Sequence, residues 1–196
     1  AFSTAEEAQD CPVRAACRDT AGQVMCCGGE VCQTFFFSMC GGYTADSAHV
    51  FASSRAYLVP VCSPEGAGLQ GFETKAEFTK QALAKVLREK GYTVADEAAE
   101  VSLARDAQGY VLSFSFGELT LGGTAARLAL GLRSSCFSME QQEQTLLFTV
   151  HGYGHGVGLS QWGAELYARQ GWDYEKILCH YYQNAALQPL ASALQS

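Results

Sequence analysis

The chain predicts an α+β fold with strands and helices intermixed, and three observations carry that reading. Short apolar stretches such as YVLSFSFGELTLGG alternate with the two-residue period of a strand. Others, such as SQWGAELYARQG and DYEKILCHYY, carry helix start and stop signals. Hydrophobic residues make up 48% and charged residues 17% of 196 residues, a globular balance with length enough for a sizeable core. Residues 1–190 read as a single domain and 191–196 as a tail.

In chain order, residues 1–20 are alanine-rich and read as a helix closed by Thr20 and Gly22. QVMCCGGEVCQTFFFS alternates around Gly28-Gly29, a pair suited to a two-residue hairpin turn, with Val24, Val31, Phe35 and Phe37 as its apolar supply. Cys40-Gly41-Gly42 closes that element. Tyr57 to Cys62 reads as a short strand with Pro60 on an edge. Thr74 and Glu77 match a capping box, so a helix is expected from there to Gly91, with Phe78, Ala82, Val86 and Leu87 on one face. Val111, Phe114 and Phe116 alternate out of phase before a turn at Gly117, and AARLALGLRSS reads as a short helix. A strand starts at Leu146. Ser160 caps a helix from Gln161 to Gln170, and Asp173 caps the last one.

Net charge is −7 with no cluster of Lys or Arg, which argues against a nucleic-acid groove or an anionic membrane patch. No 18-residue apolar span and no signal peptide is present, and the chain begins at Ala1, so it reads as a processed piece with any leader or anchor upstream. Nine cysteines show no Cys-x-x-Cys and no zinc-finger spacing. The odd count leaves at least one thiol unpaired or bonded to another chain.

The stretch HGYGHGVGLS places glycine at 152, 154, 156 and 158. As a strand over 147–157 it would bare one face for a packed helix or a ligand. His151, Tyr153, His155 and Val157 would then project together from the other. Two histidines four apart suit zinc on a helix, yet four glycines oppose a helix, and on a strand the rings stand about 13 Å apart. The phosphate-loop and nucleophile-elbow spacings also miss.

The string GYGHGVGLSQWGAELYARQGWDYEKILCHYY resembles the closing motif of the stage II sporulation protein D family, which includes amidase-enhancer proteins. DTAGQVMCCGGEV, FFFSMCGGYT, YLVPVCSPE and ALGLRSSCF resemble earlier family segments in the same order. The likeness runs from about residue 13 to 187. It implies a cleft-bearing α+β domain that binds peptidoglycan glycan strands. In full-length enzymes it implies lytic cleavage of the MurNAc–GlcNAc bond, with a 1,6-anhydro product and one glutamate as acid and base. Other members are binding modules that enhance a wall amidase. The expected setting is extracytoplasmic, in the cell wall or intermembrane space, with other wall hydrolases as further partners and no nucleic acid.

Two departures bear on that reading. The family's N-terminal helix, Glu-Ala-Leu-Lys-Ala-Gln followed by Ala-Arg-Thr-Tyr, has no match; Glu6-Glu7-Ala8-Gln9 echoes only its start, with Glu7 the sole stand-in. The catalytic residue is therefore unassigned and activity as an enzyme stays open. Some members carry zinc near the Ser-x-x-Gly-Gly segment. Here Cys40 and His49 are too few for four-coordination, a Cys40–Cys62 contact is an alternative, and no cofactor is expected.

The resemblance assigns substrate contacts to Ser38, Gly41, Gly42, Arg133, Tyr153, His155, Ser160 and Gln161. Ser38, Gly41 and Gly42 would line the cleft. Arg133 would orient an acid or a lactyl group, or make a surface ion pair. His155 would hold a sugar hydroxyl or stay structural. Tyr153 and Trp162 suit ring stacking, although Trp162 in a first helical turn reads as core. His180, Tyr181 and Tyr182 read as packing, and Glu30, Glu65 and Glu118 have no distinguishing context.

Overall fold

The computed structural model describes residues 11–51, 53–142 and 145–193. The N-terminal segment with Glu7 lies outside them. In chain order the elements begin α1 (Pro12–Asp19), β1 (Gln23–Cys27), β2 (Glu30–Val31), β3 (Phe36–Phe37), α2 (Ser47–Val50), β4 (Glu73–Thr79) and α3 (Lys80–Glu89). Then come β5 (Val101–Arg105), β6 (Val111–Phe116), β7 (Leu119–Gly122), α4 (Gly123–Leu130), β8 (Phe137–Gln141) and β9 (Thr145–His151). The chain closes with β10 (Leu159–Ser160), α5 (Gln161–Arg169), α6 (Tyr174–Tyr181), β11 (Ala186–Pro189) and α7 (Leu190–Ala193). The α+β class is as predicted. Among the described residues no helix is long and apolar enough to cross a membrane.

Two compact units emerge: residues up to Gln33 together with those from Asn184 onward, and Thr34–Gln183. In the first, β1 pairs antiparallel with β2 and β11. Gly28 and Gly29 turn the hairpin at φ of +62° and +87°, so that Cys27 faces Glu30. Met25 and Cys26 are its buried residues, whereas Val31 is 51% exposed. Phe35 and Phe37 belong to the second unit, so the hairpin lacks the apolar supply expected from them.

The second unit is built on two antiparallel sheets, β4-β9-β8 and β5-β6-β7. Strand β9 alternates cleanly, and Leu146, Phe148 and Val150 enter one core with Leu83, Leu87, Val111, Phe114, Phe116, Leu130 and Phe137. Phe148 packs between Phe78 and Phe137 at 5.7 and 5.9 Å between ring centroids. Such pairs add about 0.5–1.5 kcal/mol beyond area burial. The phase problem in YVLSFSF has a local cause. A bulge opposite Ala104 and Arg105 skips Leu112, which is left exposed, and brings Val111 inward with Phe114.

Two expectations are corrected. Thr74 and Glu77 do not cap a helix: they lie in β4, whose residues pair one by one with β9 from Glu73↔His151 to Thr79↔Thr145. Helix α3 starts at Lys80, where Thr79 accepts from the Ala82 N–H at 3.1 Å. The later start rotates the buried face to Leu83, Ala84 and Leu87, leaving Ala82 exposed. Residues 57–62 do not form a strand either. Val61 and Thr44 exchange bonds through the Thr44 hydroxyl and backbone, and Pro60 has no N–H with which to extend a ladder.

Thr79→Ala is expected to lower the unfolding free energy by about 1 kcal/mol in urea titration. A loss confined to Thr74→Ala would contradict the helix boundary.

Candidate functional site

Strand β9 ends at His151, and the glycine run does not continue it. Gly152, Gly154, Gly156 and Gly158 all take positive φ, between +76° and +121°. A left-handed step at every second residue coils the chain instead of alternating its side chains on a flat ribbon. The expected bare face is therefore corrected: this chain's own residues 35–41 fill the space at Gly152, Gly154 and Gly158, and the Tyr110 ring fills it at Gly156. Added Cβ atoms at Gly152 and Gly158 would come 2.5 Å from the Met39 carbonyl and 2.1 Å from the Phe35 carbonyl. One at Gly154 would meet the Phe37 side chain at 2.7 Å.

Backbone hydrogen bonds close this seam. Met39 and Tyr153 exchange N–H···O bonds at 3.0 and 2.7 Å, and the Gly154 N–H donates to the Arg133 carbonyl at 3.0 Å. The Leu159 N–H donates to Phe35 at 3.0 Å, where β10 runs parallel to β3. Two motifs separated by more than a hundred residues thus share one backbone interface.

The side chains between the glycines do not share a face. His151 lies against Phe72 and pairs with Glu73 at 3.4 Å. The Tyr153 ring is 47% exposed, with the Arg133 guanidinium 4.6 Å from its centroid. Arg133 also donates to the Gly71 carbonyl at 3.3 Å, so the resemblance's cation is held beside the exposed ring. His155 is packed among Phe35, Phe37 and Phe51. Its Nε2 bonds the Phe36 carbonyl at 3.0 Å and its Nδ1 accepts the Val157 N–H at 3.1 Å, which assigns the Nε2-H tautomer. Both ring nitrogens are spent internally. Burial holds this imidazole below its ordinary 6.5, opposed by the Phe36 bond and assisted by Arg127.

Ser160 is fully buried and works as the N-cap of α5, accepting from the Gly163 N–H at 3.4 Å. Its burial keeps it from a ligand. The Ser38 carbonyl receives the Trp162 N–H at 3.1 Å, and the Gly42 carbonyl receives the Ser63 N–H at 2.9 Å. Gln161 is exposed, and Trp162 is 43% exposed where a core position was expected. Tyr181 and Tyr182 are buried as read, the latter donating to the Phe35 carbonyl at 2.8 Å.

Glu65 went unmarked in the sequence. It is 6% exposed and accepts from the Cys40 N–H at 3.0 Å and from the Ser160 hydroxyl. Its partners are 25 and 95 residues away, so no local pattern could have flagged it. Gly163 makes room for this node: a Cβ there would lie 2.1 Å from the Tyr181 hydroxyl, 2.3 Å from Ser63 Oγ and 2.8 Å from Glu65 Oε2.

Cys40 is fully buried, and burial, then Glu65, pushes its thiol well above the ordinary range. His49 pairs instead with Asp106 at 3.4 Å. Among the described residues no three His, Cys, Asp or Glu side chains gather around one point, and Cys40 and Cys62 are unbridged.

Ala in place of Gly in a helix ordinarily stabilises by about 1 kcal/mol, but Gly163→Ala should destabilise by roughly 1–3 kcal/mol because three oxygens occupy the space. A stabilised variant would remove the node from that position. His155 has a lowered folded-state pKa, so its contribution is complete above about pH 6.5 and declines as the pH falls below it. The fall in melting temperature from about pH 7 to about pH 5.5 should shrink in His155→Gln. An unchanged fall would contradict the spent-nitrogen geometry.

No model of a known protein family matches the chain. Stage II sporulation protein D of Bacillus subtilis is 28% identical over 86% of this chain and 48% of its own length. The protein of that name in Bacillus amyloliquefaciens is 29% identical over 89% of the chain and 50% of its own length. The amidase enhancer of Bacillus subtilis is 23% identical over 88% of the chain and 32% of its own length. The chain thus spans about half the length of the sporulation proteins it matches. These relatives agree with the motifs: over most of its length the chain is similar to stage II sporulation protein D.

Proposed function

We propose that the Thr34–Gln183 unit binds the glycan strands of peptidoglycan, outside the cytoplasmic membrane, on the seam where FFFSMCGG meets HGYGHGVGLSQ. The observation that carries this reading is the Tyr153–Arg133 pair. An exposed ring with a guanidinium 4.6 Å from its centroid offers a flat face to a sugar and a fork of donors to a carboxylate. The exposed Gln161 adds an amide that both donates and accepts. Ser38, Gly41 and Gly42 form the half-buried backbone beside it. His155 and Ser160 contribute from beneath: one holds the Phe36 carbonyl, the other starts α5.

In a full-length protein, this unit would present a strand for lytic cleavage of the MurNAc–GlcNAc bond to a 1,6-anhydro end, in cell-wall remodelling or sporulation. The acid would come from a helix such as the family's Glu-Ala-Leu-Lys-Ala-Gln type. The relative named amidase enhancer favours a second reading, a non-catalytic module that binds the wall or activates an amidase. An upstream acid helix separates the two.

Co-sedimentation with glycan strands stripped of stem peptides tests the binding. Wild-type chain should pellet with the strands, and Tyr153→Ala and Gln161→Ala should each weaken the association about tenfold. His155→Ala should lose it through the Phe36 backbone. Full affinity in both His155→Ala and Gln161→Ala would remove the site from this seam.

A further inference from the structure

Glu65 sits in the loop after Ser63-Pro64, where three chain segments meet. Its Oε1 takes the Cys40 N–H at 3.0 Å and the Ser160 O–H. Each bond reaches into a segment that lines the candidate site. Cys40 stands between Ser38 and Gly41-Gly42, while Ser160 precedes Gln161 and receives the first-turn N–H of α5. The Ser63 N–H, two residues before the carboxyl, donates to the Gly42 carbonyl and closes the same loop from the other side. Beyond Oε1, Ser63 Oγ and the Tyr181 hydroxyl are bonded at 2.5 Å and press with Oε2 against Gly163.

Oε2 is buried and has no hydrogen-bond partner among the described residues. A group enclosed in this way acts on the surface through the segments that it holds. It can decide where the surface groups stand. A carboxyl at the start of a helix also matches the partial positive charge of the helix end, and α5 begins there. From these contacts we infer that Glu65 is the positioning residue of the glycan site: it clamps the 38–42 loop to the start of α5 and so sets Gln161 relative to Ser38, Gly41 and Gly42. The functional half of this inference rests on the glycan-binding reading; the clamp itself does not.

The chemistry separates two substitutions. Glu65→Gln keeps a carbonyl oxygen for both donors. Glu65→Leu fills the space but leaves the Cys40 N–H buried without an acceptor and the Ser160 O–H with only the Ser38 carbonyl at 3.5 Å, which opens the loop. Cys40 is fully buried, so its thiol reports on that opening without any ligand.

The test treats the whole chain with iodoacetamide, maps the labelled cysteines by peptide mass spectrometry, and measures co-sedimentation with denuded glycan strands. Cys40 should stay shielded in the wild type and in Glu65→Gln and become labelled in Glu65→Leu. Glycan affinity should hold in Glu65→Gln and fall about tenfold or more in Glu65→Leu. Cys40 labelling in Glu65→Leu with no glycan binding even by the wild type would sustain the clamp and overturn the glycan reading. A folded Glu65→Leu with Cys40 shielded overturns the clamp, whatever its affinity. If Glu65→Leu does not fold, Ser160→Ala takes its place: labelled Cys40 sustains the clamp, and shielded Cys40 with wild-type affinity overturns it.

Discussion

The second unit depends on a contact of backbone with backbone. Residues 35–41 lie so close to Gly152, Gly154 and Gly158 that carbonyl oxygens and a phenylalanine Cβ occupy the space where side chains would begin, and the Tyr110 ring does the same at Gly156. Nothing but glycine at these positions satisfies both the positive φ and the approach. From that seam follow the parallel β3–β10 pair, the internal bonds of His155 and the point at which α5 starts. Closing a loop across 119 residues, as between Phe36 and His155, carries an entropic cost that grows only slowly with length. The seam offsets it with bonds that exclude water.

Apart from Glu65 Oε2, the polar groups that meet beneath the seam are matched, and that matching fixes the frame of the candidate site. Ser160 serves Glu65 and Gly163, Tyr182 serves Phe35, and Ser63 serves Tyr181. Such a network specifies one arrangement because each unmatched member would bear its desolvation alone. The exposed layer above is different in kind. Tyr153, Arg133, Gln161 and Trp162 keep solvent-facing surface while their backbones are fixed by the layer below.

Much of this was legible in the residues, and the limits have physical causes. The Gly28-Gly29 hairpin, the Gly117 turn and the Ser160 and Asp173 caps are local devices, so their signals are local too. Thr74-x-x-Glu77 deceived because a capping box and an alternating strand can be written with the same letters, and pairing with β9 decided the matter. The glycine run drew attention for its periodicity, but period two suggested a strand where the true cause was alternate left-handed steps. Glu65 was invisible since burial of a carboxyl depends on partners far away in sequence. Family motifs pointed to the seam; only the contacts distinguish Gln161 and Tyr153, which face outward, from His155 and Ser160, which hold the frame.

Residue-resolved amide hydrogen exchange on the intact chain tests the seam most directly. The N–H groups of Met39, Tyr153 and Leu159 donate across it, and they should exchange slowly and together, with protection close to that of the β9 amides. Fast exchange at Met39, Tyr153 and Leu159, with β9 still protected, would mean that the two motifs do not close on each other and would contradict the seam.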